Sequence, residues 1–312
     1  MKVLITGHAG FIGNYFTKKL LAEGHTVTGV DIKLPKHIEN IGNFLSIQQD
    51  CRLFFKREFY DTFDLVIHCA AVIGGREGIE NKSLFLATEN LTIDAAFFDW
   101  VAKNKPKKVI YWSSSAAYPI ELQRKTEQFQ IKLEETDLDP IRSSLGNPDE
   151  TYGLTKVVGE VLCSRINPNN TKVYVFRPFS GYGEEQSFDY PFNSIVNRAI
   201  KKEDPLVVWG TGEQVRDFIH IDDIYEATMT VLNMEDGEKL CPLNLGTGFP
   251  TSFKELAVMA AELVGYTPEI QPLTDKPMGV EFRCADTTEL HKVYKPKVTL
   301  REGIERAIKN AV

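Results

Sequence analysis

Short apolar runs alternate with amphipathic stretches through the first half of the chain, the rhythm of doubly buried strands separated by helices. Val3–Ile5 reads as the first strand. Gly7-x-x-Gly10-x-x-Gly13 follows, then a helical segment over Asn14–Gly24 with Phe16, Leu20 and Leu21 on one face. A second apolar run, Thr26–Val30, ends at Asp31. A third strand is expected just ahead of Asp50 and Cys51, and a fourth over Asp64–Ala71. Leu84–Asn104 has helical spacing and carries Asn90. Lys108–Trp112 is a fifth strand that delivers Ser113, Ser114 and Ser115 to its end. Thr151–Ile166 reads as a helix and Lys172–Phe176 as a strand. The pattern predicts an α/β protein built on a doubly wound parallel sheet.

From Arg177 onward the rhythm loosens. Helices are expected near Phe192–Lys202, Asp223–Met234 and Ser252–Val264, with a short one ending near Val312 and a strand at Leu206–Trp209. No internal repeat, low-complexity tract or evident linker interrupts this part. A second, smaller lobe sharing elements with the first is the expectation. Residues 119–150 are polar and turn-rich, and read either as a lid or pocket wall or as an ordinary surface excursion.

The glycine turn carries the first chemistry. A strand, a glycine-rich turn, a helix, a strand and an acid in that order mark a dinucleotide site. Gly7 permits the tight turn, Gly10 lets the backbone approach a pyrophosphate, and Gly13 lets the helix pack close. Phe11 and Ile12, between the glycines, are expected on the cofactor side, ahead of a helix whose free N–H groups and dipole favour phosphate. Asp31 can accept hydrogen bonds from both ribose hydroxyls and repels a 2′-phosphate, which favours NAD over NADP. Cys69, Ala70 and Ala71 close the fourth strand with small residues, which serve either a cofactor lying against the strand end or helix packing.

Composition narrows the classes. The chain has 312 residues, 43% hydrophobic and 25% charged, with a net charge of −7. That balance argues against a nucleic-acid surface, so an anionic ligand needs locally placed arginines. Five scattered cysteines (Cys51, Cys69, Cys163, Cys241, Cys284) lack a CxxC pair, and the six histidines lack ligand spacing. Reduced thiols and no metal site are expected. There is no signal-peptide pattern, and the apolar run Leu65–Gly75 is too short to span a bilayer. A soluble cytoplasmic protein is the expectation.

Tyr152 and Lys156 lie i, i+4 at the start of a helix and so point the same way. A free tyrosine, with a pKa near ~10, is a poor base at neutral pH. A lysine ammonium and a positively charged nicotinamide beside it stabilise the phenolate. A serine hydroxyl can bridge to the substrate oxygen. Together TGHAGFIG, Asp31, HCAA, SSSAAY, YGLTK, RPFSGYG, RDFIHIDD and NLGTG resemble the extended short-chain dehydrogenase/reductase family, specifically its nucleotide-sugar epimerases and dehydratases.

The resemblance covers nearly the whole chain. It implies a Rossmann domain over 1–177 and 214–246, and a nucleotide-sugar lobe over 178–213 and 247–312. It implies a homodimer paired through Leu84–Asn104 and Tyr152–Ile166. Tyr152 is implied as the acid/base, Lys156 as its tuning partner on the nicotinamide ribose, and Ser114 as the catalytic hydroxyl, with Ser115 sharing its task. Asp50 and Cys51 resemble the pair beside the adenine, and Asn90 is expected on the cofactor side. Arg216 and Arg283 resemble the arginines that grip the substrate diphosphate, and their planar forks suit phosphate. Ser180 is expected to face the sugar or phosphate. Gly75 and Arg76, within the glycine-rich Gly74–Gly78, are expected to line the sugar pocket.

Exclusion points to a reaction. The family's 4,6-dehydratases carry Asp-Glu after the catalytic Thr, where this chain has Ser115 and Ala116. Its 3,5-epimerases place a cysteine two residues beyond the serine, and that position is Ala116. What remains needs one hydride and one proton, so an NAD-dependent 4-epimerase of a nucleoside-diphosphate hexose is expected. A 4-keto reductase and a dehydrogenase are alternatives within the family. A non-catalytic NAD-binding sensor or scaffold is the alternative of another class. Such proteins typically lose the tyrosine, lysine or serine, and this chain has all three.

Overall fold

The computed structural model describes residues 1–35, 42–57, 62–125, 130–141, 145–234 and 242–311. In chain order the first half contains β1 (Lys2–Thr6), α1 (Phe11–Ala22), β2 (Thr26–Asp31), β3 (Phe44–Gln48), the one-turn α2 (Cys51–Phe54) and β4 (Leu65–His68). It continues with α3 (Arg76–Asn81), α4 (Ser83–Asn104), β5 (Lys108–Trp112), α5 (Glu150–Cys163) and β6 (Lys172–Pro178). The second half contains β7 (Ser180–Tyr182), α6 (Pro191–Ile200), β8 (Leu206–Trp209), β9 (Val215–His220), α7 (Ile221–Leu232) and β10 (Leu243–Leu245). It ends with β11 (Pro250–Ser252), α8 (Phe253–Val264), β12 (Ile270–Leu273), β13 (Phe282–Arg283) and α9 (Leu300–Ala311).

Seven strands form one parallel sheet in the order β10-β6-β5-β4-β1-β2-β3. Side-chain parity explains its apolar strands. Val3, Ile5, Ile67, Ile110 and Trp112 pack with Phe16 of α1 and Ile224 of α7 on one face. Leu4, Val66, Val109 and Tyr111 pack with Phe97 and Trp100 of α4 on the other. A strand covered on both sides has no polar alternation, and its helices fall on both faces. The fold is therefore the expected doubly wound Rossmann sheet. Strand order reverses between β1 and β4, so the crevice for a ligand opens beyond their C-terminal ends.

β7, β9, β11 and β13 make a second, four-stranded sheet, and β8 pairs with β12. Tyr182, Phe192, Leu206, Leu256 and Ile304 form the core of this lobe. The chain passes between lobes within the stretch 214–246. β9 pairs with β7, β11 and β13, whereas β10 completes the edge of the large sheet.

The excursion between β5 and α5 is anchored to the protein by a few buried side chains. Leu133 and Leu138 are buried with Tyr118, Val157 and Phe179, and Leu133 bridges to Ala285. Residues 126–129 and 142–144 of that excursion, and Cys241, lie outside the described residues. Among the described residues no helix is long and apolar enough to cross a membrane.

Candidate active site

The turn after β1 has room for glycine alone at two places. Gly7 has φ +71°, and a Cβ there would lie 2.7 Å from the Ala70 backbone nitrogen. At Gly13 a Cβ would lie 2.1 Å from the Gly7 carbonyl oxygen, so α1 meets the turn in direct backbone contact. Gly10 caps α1 without any side-chain hydrogen bond. The first N–H groups of a helix have no intrahelical acceptor, so those of Phe11 and Ile12 stand at a cradle for an anion. Asp31 ends β2 beside it, accepting from the Ala9 N–H at 3.0 Å and the Lys33 N–H at 2.9 Å. These features fit a dinucleotide pyrophosphate and ribose. Gly13→Ala is expected to weaken NAD binding by at least about tenfold through overpacking, read by calorimetry against the thermal stability of the same variant.

Other expected cofactor residues hold structure around the crevice. Asp50 caps α2 through the Arg52 N–H and takes the Arg52 guanidinium on both carboxylate oxygens. The Arg52 hydrogen bond, with its charge, holds that carboxyl below the ordinary range despite partial burial. Cys51 is buried, which pushes its thiol up to about 12, and burial does the same to Cys69. Neither is a ready thiolate. The Cys69 N–H donates to the Thr6 carbonyl, which brings Cys69, Ala70 and Ala71 beside the glycine turn. Asn90 spends its amide on the backbone. Its oxygen accepts from Val72 N–H and its nitrogen donates to Val72 and Leu86 carbonyls, each at 2.8 Å. It fixes the strand extension that walls the crevice.

Beyond β5, Ser114 caps the short 3-10 turn Ser115–Ala117 and accepts from the Ala116 N–H at 3.1 Å. α5 presents Tyr152 and Lys156, with the Lys156 ammonium 5.8 Å from the Tyr152 ring centroid and 5.2 Å from that of Tyr111. A cavity of about 220 Å³ joins Ser114, Ala116, Tyr152, Ser180, Tyr190 and Arg283. Gly74 also lines it, and a Cβ at Gly75 would lie 2.6 Å from the Asp189 carbonyl oxygen. Ser115 is buried outside this lining.

Two guanidinium groups meet at one carboxylate at the edge of this cavity, and a third stands on the adjacent strand. Asp149, just ahead of Tyr152, accepts from Arg76 at 2.7 Å and from Arg283 at 2.8 Å. Arg216 is the register partner of Arg283 on the adjacent strand, and donates only to the Val215 and Val280 carbonyls among its described partners. Burial and the Arg283 charge, with that of Arg76 against the Asp149 charge, push the Arg216 guanidinium down to about 9. Gln123 accepts from Arg283 at 2.5 Å. Three guanidinium groups thus stand against Asp149 and, at Arg76, Glu80, a donor set whose planar forks suit a polyanion such as a diphosphate. Sequence reasoning missed Asp149 and Gln123. The acid three residues before Tyr152 was the one available signal.

Known proteins resemble this chain over nearly its whole length. The sequence model of the NAD dependent epimerase/dehydratase family matches residues 3–246. The chain is 28% identical to GDP-L-fucose synthase 1 of Arabidopsis thaliana, over 98% of this chain and 91% of that protein. It is 29% identical to a putative UDP-glucose 4-epimerase of Methanocaldococcus jannaschii, over 98% and 97%. The UDP-glucuronic acid 4-epimerase of Bacillus cereus, solved with UDP-glucuronic acid and NAD, superposes with a TM-score of 0.83 at 25% identity, covering 100% of both chains. The chain belongs to the NAD-dependent epimerase/dehydratase family of nucleotide-sugar enzymes within the extended short-chain dehydrogenases, and its cofactor is NAD.

Proposed function

We propose that the protein is a nucleotide-sugar 4-epimerase, which oxidises C4 of a nucleoside-diphosphate hexose transiently and reduces it from the opposite face. The observation that carries this reading is the poverty of the sugar cavity in proton-transfer groups. Among the described residues its titratable lining groups are Tyr152, Tyr190, Asp149 and Arg283. Burial pushes the Tyr190 hydroxyl far up, with Tyr152 and Asp189 adding to the effect, so Tyr190 is no base. Asp149 is neutralised by two arginines, and Ala116 offers only a methyl where a second acid or thiol is needed for dehydration or for epimerisation next to the ketone.

One acid/base suffices for C4 chemistry. When bound, NAD supplies the acceptor and then the donor of the C4 hydride. Ionised Tyr152, its phenolate stabilised beforehand by Lys156, takes the proton of the sugar 4-hydroxyl, held by Ser114, and later returns it. Arg76, Arg216 and Arg283 hold the diphosphate while the 4-keto sugar turns over. The test is proton NMR of the purified protein with a panel of UDP-, GDP-, CDP- and dTDP-sugars. A 4-epimer formed without net NADH supports the reading; stoichiometric NADH or a persistent keto sugar sinks it. The similarity to GDP-L-fucose synthase favours one second reading, reduction of a 4-keto sugar by the same Tyr152, which would consume NADH.

The same reading includes a homodimer. Leu84, Phe85 and Leu91 of α4 and Leu154 of α5 are all exposed, an apolar face on two adjacent helices. Sedimentation at micromolar concentration is expected to give twice the chain mass, and Phe85→Asp to give the single-chain value.

A further inference from the structure

Behind Lys156 lies a buried polar chain that the reaction scheme above leaves unused. Thr6, His68, Asp94 and Tyr111 come from β1, β4, α4 and β5, and all four are buried. Thr6 Oγ1 lies 2.7 Å from His68 Nδ1, His68 Nε2 lies 3.3 Å from Asp94 Oδ1, and the Tyr111 hydroxyl donates to Asp94 Oδ2 at 2.6 Å. Burial keeps the His68 imidazole neutral against the pull of Asp94, so the His68–Asp94 contact is a hydrogen bond rather than an ion pair. The donors then run one way, from Thr6 to His68 Nδ1 and from His68 Nε2 to Asp94. Burial pushes the Asp94 carboxyl up, but the His68 hydrogen bond, the Lys156 charge and the Tyr111 hydroxyl outweigh it and keep the carboxylate ionised.

This chain meets the active site at one ring. The Lys156 ammonium stands between the faces of Tyr111 and Tyr152, at 5.2 and 5.8 Å from their centroids. α5 is shaped around that ring, since a Cβ at Gly159 would lie 1.9 Å from the Tyr111 hydroxyl oxygen. Gly159 follows Lys156 by three residues, so the space and the ammonium share one helix face. A phenol that donates to a carboxylate gains electron density in its ring, which strengthens its hold on a cation.

We infer that Asp94 is a positioning residue for the Tyr152–Lys156 pair, acting through Tyr111: its carboxylate balances the ammonium from behind, and the Tyr111 ring fixes where the ammonium stands. The other titratable or charged groups facing this cluster are Cys69 beyond β4, Cys163 of α5, Tyr190, and Arg283 across the cavity. The inference rests on the assignment of Tyr152 as acid/base.

The sign of the effect follows from charge. A negative Asp94 disfavours a second negative charge at Tyr152 and favours the positive charge at Lys156. Asp94→Asn removes both influences, so the phenolate forms at lower pH and the ammonium is lost at lower pH. The whole bell of kcat/KM against pH then moves to lower pH. Tyr111→Phe keeps the ring but removes the hydroxyl that tempers Asp94, so its acidic limb moves up.

The experiment records both variants with the nucleotide sugar turned over in the NMR panel. In parallel, it titrates the ultraviolet phenolate band of the NAD-loaded protein, with Tyr152→Phe as the blank. Opposite displacements in the two variants are expected, with KM changed less than twofold. A uniform loss of rate with an unmoved bell, or displacement of both variants in the same direction, overturns the inference. If Asp94→Asn fails to fold, the direction of the Tyr111→Phe displacement decides alone. Because the phenolate titration needs no substrate, it tests this inference even where the epimerase reading fails. Full activity in Tyr152→Phe would remove that reading and this inference together.

Discussion

Tyr152→Phe is expected to lower kcat by roughly 10²–10⁴-fold, the usual contribution of a positioned acid/base, while the protein keeps its NAD and its stability. The ring stays in place, so the cavity keeps its shape and Lys156 keeps one of the two faces it stands between. What goes is the only oxygen on α5 that lines the sugar cavity close to a cation, and with it the path for the 4-hydroxyl proton. KM for the sugar should move little if, as proposed, the three-arginine cluster holds the diphosphate independently of that hydroxyl. The checks are initial rates by NMR and NAD content after release by denaturation. Turnover within threefold of the parent would place the acid/base elsewhere; Tyr190, whose hydroxyl is pushed far up by desolvation, and Asp149, held by two arginines, would be poor substitutes.

The features that were legible in the sequence are those whose physical cause is local. The glycine turn could be read because a backbone needing φ near +70° at Gly7 and close contact at Gly13 excludes every other residue at those two positions. Tyr152 and Lys156 could be read because one helical turn places both side chains on the same side. The doubly buried strands announced themselves by lacking polar alternation. α1 nevertheless begins at Phe11, ahead of the expected Asn14, because Gly10 serves as its cap. The features that were not legible depend on partners far along the chain. Asp94 looks like an ordinary polar position of a helix until β4 and β5 bring His68 and Tyr111 to it. Asp149 acquires its meaning from Arg76 and Arg283, which lie 73 and 134 residues away. The excursion read equally as lid, wall or surface loop, because the burial of Leu133 and Leu138 depends on Ala285 and Phe179 and leaves no period in the sequence.

The buried ion pair of Arg177 is the contact on which that excursion depends, and its removal is expected to cost the most stability. Arg177 and Glu160 are both buried, with Arg177 Nη2 2.7 Å and Nε 2.9 Å from the two carboxylate oxygens. The remaining donors reach the Tyr118 hydroxyl and the backbone carbonyls of Glu135 and Leu138. Arg177→Met fills most of the volume but strands the Glu160 carboxylate with the Ser113 hydroxyl as its one other described partner. An uncompensated buried charge of this kind costs about 3–5 kcal/mol. The melting temperature should therefore fall by roughly 5–8 °C. Adding Glu160→Gln removes the stranded charge, and the double variant should recover more than half of the loss, a non-additivity expected of contacting residues. Activity offers the second check. Arg177 ties the excursion that carries Gln123 and Asn147 to the site, so the single variant should raise KM for the nucleotide sugar. A double variant no more stable than Arg177→Met would mean that the backbone carbonyls, and not Glu160, are what Arg177 is there to hold.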